Sequence, residues 1–261
     1  MKKVILFLAF IFSYTFFLPE QSAAQVFQPG EELEYEVSFL GIKLGKIRVV
    51  SIAAEDLEGN IVYHAKAFME SYRGIPFVDL NATFESWMDK SLSYSHKFTG
   101  NMKLDDDKWQ YTQMLFHYDK NEIELKRWIN KEPSFEKDIK TEKKVNDGCS
   151  LFFLARQFTH LKKSVTIPTI IEHSVVSTKI NFHGKEESVD IDAVNYPVSA
   201  VYFDGKAEWE GVYGLTGKFE GWFSDDNASV PIKAEMNVYI GKVLIELVRW
   251  KREGWVPPRA S

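Results

Sequence analysis

The stretch NDGCSLFFLARQFTHL, residues 146–161, decides how this chain is read. Asn146 or Asp147 can cap a helix, because either side chain accepts a bond from an unpaired first-turn N–H. The residues that follow are apolar nearly all round: Leu151, Phe152, Phe153, Leu154, Ala155, Phe158 and Leu161. A helix of that kind in a water-soluble protein is covered by other elements on most sides. The reading predicts one apolar helix over 147–161, favoured at its negative end by Lys162 and Lys163.

Everything outward from the helix reads as strand. Leu33, Tyr35, Val37 and Phe39 alternate with Glu32, Glu34, Glu36 and Ser38, the pattern of a strand with one buried and one wet face. Similar runs cover 47–52, 61–72, 76–88, 92–104, 109–118, 123–129 and 134–143 before the helix. After it come 166–180, 186–193, 198–209, 218–224, 231–240 and 243–250, with His183-Gly184-Lys185 read as a turn and Asp204-Gly205 as a turn or bulge. Short polar turns such as Leu57-Glu58-Gly59-Asn60 separate them, so a meander of antiparallel neighbours is the economical topology. A sheet of about a dozen strands curls or closes. The expected fold is all-β: a single large, highly curved antiparallel sheet or incomplete barrel wrapped around the helix.

Residues 1–24 read as a secretory signal peptide. Lys2 and Lys3 give the positive start, 4–18 the apolar core, and Ser22-Ala23-Ala24 the cleavage site. The apolar stretch is short for a membrane span of about 20 residues. No cysteine stands at the cleavage site to carry a lipid. The expectation is an exported protein, periplasmic or associated with the outer membrane, neither lipid-anchored nor transmembrane. Residues 25–253 form one β domain, and 254–261, with Pro257-Pro258, a disordered tail. Cys149 is the one cysteine, so no internal disulfide exists, and it reads as a small buried apolar residue. Net charge is −5, and −6 without residues 1–24, which argues against a nucleic-acid partner.

No catalytic signature is visible. The six histidines (His64, His96, His117, His160, His173 and His183) have no helical metal spacing, and there is no nucleophile elbow or phosphate-binding glycine loop. Asp105-Asp106-Asp107 and Asp225-Asp226-Asn227 sit where turns are needed, and turns account for them. The chain is expected to be no enzyme and to hold no cofactor and no metal. Arg156 is the one charge inside the apolar helix. It either pairs with a strand carboxylate or anchors an anionic head group at the end of an apolar pocket. Arg156, Phe152 and Trp222 are the candidate ligand-binding residues. Trp222 belongs to a set of strand tryptophans numerous enough to suit a concave face that accepts an apolar molecule.

Two stretches resemble the bacterial family catalogued as domain of unknown function 3108. One is Phe27-Gln28-Pro29-Gly30-Glu31-Glu32-Leu33-Glu34-Tyr35 with Gly41-Ile42 and Gly45. The other is Gly221-Trp222-Phe223-Ser224-Asp225-Asp226, then Pro231-Ile232-Lys233, Gly241 and Leu247, and residues 150–156 resemble the family's mid-chain helix. The resemblance implies an exported envelope protein and carries no catalytic residues. The architecture is also similar to that of periplasmic lipoprotein carriers, which fold a curved antiparallel sheet over helices; that likeness is one of shape. Two functions are expected from this: a non-enzymatic carrier of a lipid or other apolar or amphipathic ligand, or a structural envelope protein that binds a protein partner through a sheet edge.

Overall fold

The computed structural model describes residues 22–75, 79–104, 107–210, 216–237 and 241–261. The expected leader lies outside them except for residues 22–24, as do 76–78, 105–106 and 238–240 of the expected strands and turns. A short helix, α1 (Ala23–Val26), leads into β1 (Glu32–Phe39), β2 (Ile42–Leu57), β3 (Asn60–Ser71), β4 (Asn81–Asp89), β5 (Ser95–Lys103), β6 (Trp109–His117), β7 (Glu122–Ile129) and β8 (Glu132–Lys140). Helix α2 (Gly148–Gln157) follows. The chain then returns through β9 (Ser164–Ile171), β10 (Ser174–Val189), β11 (Val198–Glu210), β12 (Thr216–Ser224), β13 (Pro231–Asn237) and β14 (Lys242–Lys251).

The strands form one antiparallel sheet of fourteen, in the order β8-β7-β6-β5-β4-β3-β2-β1-β14-β13-β12-β11-β10-β9. Each half is a meander, and the two halves meet where β1 pairs with β14. Two-residue turns with both central residues in the left-handed region, such as Glu58-Gly59, join neighbours tightly. The sheet is not closed into a barrel. It curls instead, with α2 packed on its concave face. Glycines on that face let the curl tighten. A Cβ at Gly45 would collide with the Glu70 carbonyl, and one at Gly205 with the Phe219 ring.

The two free ends of the sheet overlap like a scroll. On β9, Ile167 faces α2 and clusters with Leu154, whereas Ile170 points the opposite way. Ile170 packs with Met114, Ile123, Leu125 and Ile139, which belong to the concave face of β6, β7 and β8. The outer layer therefore rests on the outer face of the inner one, without strand pairing between β8 and β9. Side chains fasten the lap: Arg127 to Glu172 at 3.6 Å, and the Lys137 ammonium to the His173 carbonyl at 3.5 Å. Asn146 completes part of the β9 edge by exchanging backbone bonds with Pro168 and Ile170.

Helix α2 starts on Asp147, as its cap geometry predicts. One Asp147 oxygen accepts from the Cys149 and Ser150 amides, at 2.7 and 2.8 Å. The other accepts from the hydroxyls of Ser86 on β4 and Ser95 on β5. The cap thus also ties the helix to the sheet. Burial pushes the Asp147 carboxyl above its ordinary value, against the pull of these donors. Asp147→Ala should cost about 2 kcal/mol, from the lost cap and the orphaned hydroxyls. The pH sign follows from the raised value. The folded state holds its proton longer than the unfolded chain, so this group's contribution falls as pH rises between the ordinary and the raised pKa. Urea midpoints should therefore show the wild type gaining on Asp147→Asn as pH is lowered through that window.

Three expectations need correction. The helix ends at Gln157 with Phe158 as C-cap, earlier than residue 161. The region 166–180 is two strands, β9 and β10, turning at Glu172-His173; β10 runs through His183-Gly184-Lys185 as a bulge, so periodicity alone misplaced the turn. The tail 254–261 is ordered. The Tyr196 hydroxyl donates to the Pro257 carbonyl at 2.9 Å, Ser199 N–H to Pro258 at 2.8 Å, and Ala260 N–H to Pro197 at 2.9 Å. Proline lacks an N–H but keeps its carbonyl, so a Pro-Pro segment can still be held as an acceptor strip.

Candidate functional site

Arg156 is the largest fully buried side chain among the described residues, and its charge is met inside the protein. Its Nη1 and Nη2 donate to the two Glu31 oxygens at 2.7 and 3.1 Å. Nε and Nη2 donate to the Ala228 carbonyl at 3.2 and 3.0 Å. Arg252 binds the same carboxylate and the Val26 carbonyl. Burial raises the Glu31 carboxyl, but the two guanidinium groups outweigh it and hold the pKa below the ordinary value. This is the pairing alternative of the sequence reading, and it removes Arg156 as an anchor for a ligand head group. Two shallow depressions of about 400 and 420 Å³ flank Arg252 at the surface, but the Arg252 guanidinium that lines both is already engaged by Glu31 and by the Val26 carbonyl.

Trp222 is also placed away from any concave site. Its neighbours Gly221 and Phe223 face the core, while Trp222 lies on the outer face against Tyr202. Its indole N–H donates to Glu187 at 2.7 Å. Strand alternation sets this orientation, and the count of tryptophans could not.

Phe152 keeps its candidacy. It is half-buried and meets the Tyr35 ring edge-on, with centroids 6.4 Å apart. It stands where the filled, helix end of the scroll gives way to the end that carries the β1–β2 and β3–β4 turns. The register traces the concave wall above it. Tyr35 lies opposite Ile47, Ile47 opposite Met69, Ala67 opposite Phe84, and Val37 opposite Ile245. Val37, Ile47, Met69, Phe84 and Ile245 are all only half-buried, although each points to the concave side. Nearer the helix the same face is sealed, as at Leu33, Val49 and Leu247. The concave face is therefore sealed at the helix end and less tightly covered at the other, where Ala82 and Val243 are buried but the larger side chains between them are not, with Phe152 between the two ends. Sequence alternation marked these residues as inward-facing, but nothing in it distinguished packed from open positions.

One polar atom stands beside this floor. The Tyr35 hydroxyl is buried and has no hydrogen-bond partner among the described residues. Burial drives its pKa well above the ordinary phenol value. Its electrostatic neighbours are the buried Arg156 and Glu31. Ser51 Oγ, His96 Nε2 and Arg127 Nε are likewise buried without a hydrogen-bond partner among the described residues. Cys149 is pushed well above the ordinary thiol range by burial and by Asp147, which keeps it protonated. Among the described residues, no group of three or more His, Cys, Asp or Glu is arranged to hold a metal ion.

The profile of the family described as "Protein of unknown function (DUF3108)" matches residues 34–248. No curated protein matches the chain. Among solved structures, the fold is similar to a beta-barrel-like protein of the domain of unknown function DUF1849 from Brucella abortus. The TM-score is 0.57 at 11% identity, over 87% of this chain and 98% of that one. A protein with a YmcC-like fold from Bacteroides fragilis aligns at TM-score 0.35 and 11% identity, over 86% of this chain and 97% of that one.

Proposed function

The chain belongs to the DUF3108 family, and from that premise we propose that it is an exported, non-enzymatic carrier of the cell envelope that holds an apolar or amphipathic molecule in the trough above Phe152. One observation carries the reading: Val37, Ile47, Met69, Phe84 and Ile245 point inward yet are only half-buried, on a face that is sealed at the helix end. Concave, mostly apolar surface with few polar groups is the usual form of a small-molecule site. Met69 suits ligands of varied shape, because its unbranched chain repacks easily. Export is supported by the charged start, apolar core and small-residue site of residues 1–24. No helix among the described residues is long and apolar enough to cross a membrane.

A dansyl-labelled fatty acid tests the proposal. Wild type should bind it saturably. Met69→Lys places a charge in the trough and should lower affinity about tenfold or more, while circular dichroism and the urea midpoint stay close to wild type, since a half-buried lysine can reach water. Saturable binding that survives both Met69→Lys and Val37→Lys would overturn the trough.

A second reading draws on β8. Its residues from Glu132 to Asp138 are exposed, and its outer edge is unpaired. Such an edge can take up an extended segment of a partner. Pro133 and the charges of Glu136, Lys137 and Asp138 guard it against indiscriminate pairing. A wild type that binds no apolar probe would move the reading to this edge.

A further inference from the structure

The β1–β2 turn consists of Leu40 and Gly41, with φ of 49° and 79°. A two-residue turn with both residues in the left-handed region normally carries Asn, Asp or Gly, because a larger side chain is strained there. Leu40 accepts that strain and gains no internal contact for it, being 83% exposed. Ile42, just past the turn, is 59% exposed. Neither backbone preference nor core packing explains two bulky apolar side chains at this tip.

The surroundings have a consistent chemistry. The Tyr72 amide donates to the Leu44 carbonyl at 2.8 Å, which brings the start of the β3–β4 turn alongside. Tyr72 is itself exposed, and Arg73 beside it is exposed with no ion pair among the described residues. Lys43 follows Ile42 and is 64% exposed, although Glu36 pairs with it at 2.8 Å. Leucine and isoleucine at the tip, an aromatic ring behind them and the Arg73 cation at the flank form the layering of a segment that sits in a membrane interface.

We propose that the turn end of the scroll docks on the surface of an anionic lipid bilayer. Leu40 and Ile42 enter the acyl boundary, Tyr72 lies at head-group level, and Arg73 meets lipid phosphates. A bilayer fits better than a folded partner, because the apolar groups project singly from a hairpin tip instead of forming a flat patch. The inference does not depend on a ligand in the trough.

Flotation with vesicles of phosphatidylethanolamine and phosphatidylglycerol tests it. Wild type should float with these vesicles, less so at high salt. Leu40→Asn combined with Ile42→Thr should weaken vesicle binding about tenfold or more. Asparagine suits the left-handed turn, so the urea midpoint of Leu40→Asn alone should equal or exceed that of wild type. This separates lost docking from lost folding. Arg73→Ser should reduce the preference for phosphatidylglycerol over phosphatidylcholine. Dansyl fatty-acid binding should be unchanged in the double variant, so failure of the trough and failure of docking are read separately. Wild type that ignores protein-free vesicles overturns the proposal, and so does a double variant that floats as well as wild type. Binding only to native envelope membranes would overturn it in favour of a protein partner.

Discussion

Arg156→Met should lower the unfolding free energy by about 3–5 kcal/mol, because it removes one member of a buried ion pair and leaves the other behind. Glu31 is 1% exposed and Arg156 fully buried, so no water reaches the stranded carboxylate easily. Arg252 still touches Glu31 in the variant, which sets the loss toward the lower part of that range. Adding Glu31→Gln should recover part of the loss, since the two residues act on one another and their effects do not add. The pH dependence has a definite sign. The pKa of Glu31 is held below its ordinary value of 4.5. Its contribution is therefore complete above that ordinary value and is lost as pH falls through the lower folded value. In Arg156→Met this acid-sensitive part should shrink. Urea unfolding at neutral and acidic pH measures both effects, and an unchanged midpoint at neutral pH would show that the pair contributes nothing. Binding of the dansyl fatty acid should be the same in Arg156→Met, where folded, as in wild type, because the guanidinium faces Glu31 and Ala228 and not the trough.

Phe153→Ala should be equally costly, at about 3–5 kcal/mol. The ring is fully buried and packs on Phe27 and Phe152, with centroids 5.5 and 5.2 Å away. Its removal leaves a cavity between α2, the N-terminal lead-in and β3, where Tyr63 stacks on Phe27. Phe152→Ala removes a ring that is already half-exposed and should cost about half as much or less. The ratio of the two urea midpoint shifts is the informative quantity. Equal shifts would show that Phe152 is as enclosed as its neighbour and that the trough does not begin there.

The architecture was legible because it rests on period. Leu33, Tyr35 and Val37 alternate cleanly, and 151–155 is apolar on every side, so a curved sheet around one helix followed from elementary patterning. What escaped was set by tertiary context. Alternation cannot show that Ile170 packs under β8, since a strand covered on both faces by an overlap gives the same run of apolar residues. Nor can it show that Gly254 leads into a bound strip, because the contacts there are made by proline carbonyls and lack a period. In sequence, Arg156 stands out as a charge inside an apolar helix that needs a partner. The partner, Glu31, lies 125 residues away, and no local pattern could have named it. Phe152 and Trp222 look alike in sequence; the strand parity of Gly221 and Phe223 puts Trp222 on the far face.

The pairing of β1 with β14 bears on how the protein comes to be folded. These are the first and last strands among the described residues, and Leu33 finds Trp250 opposite it. Local hairpins can zip as soon as they are made, but this central ladder has one of the longest loop closures the chain allows, and non-local pairing of that kind is slow. During synthesis β1 has β2 on one side and an open edge on the other until β14 has emerged. Strand β14 is then decisive for the whole sheet: a chain truncated before it leaves two meanders with exposed edges at β1 and β13, a species prone to aggregate rather than a smaller version of the same protein.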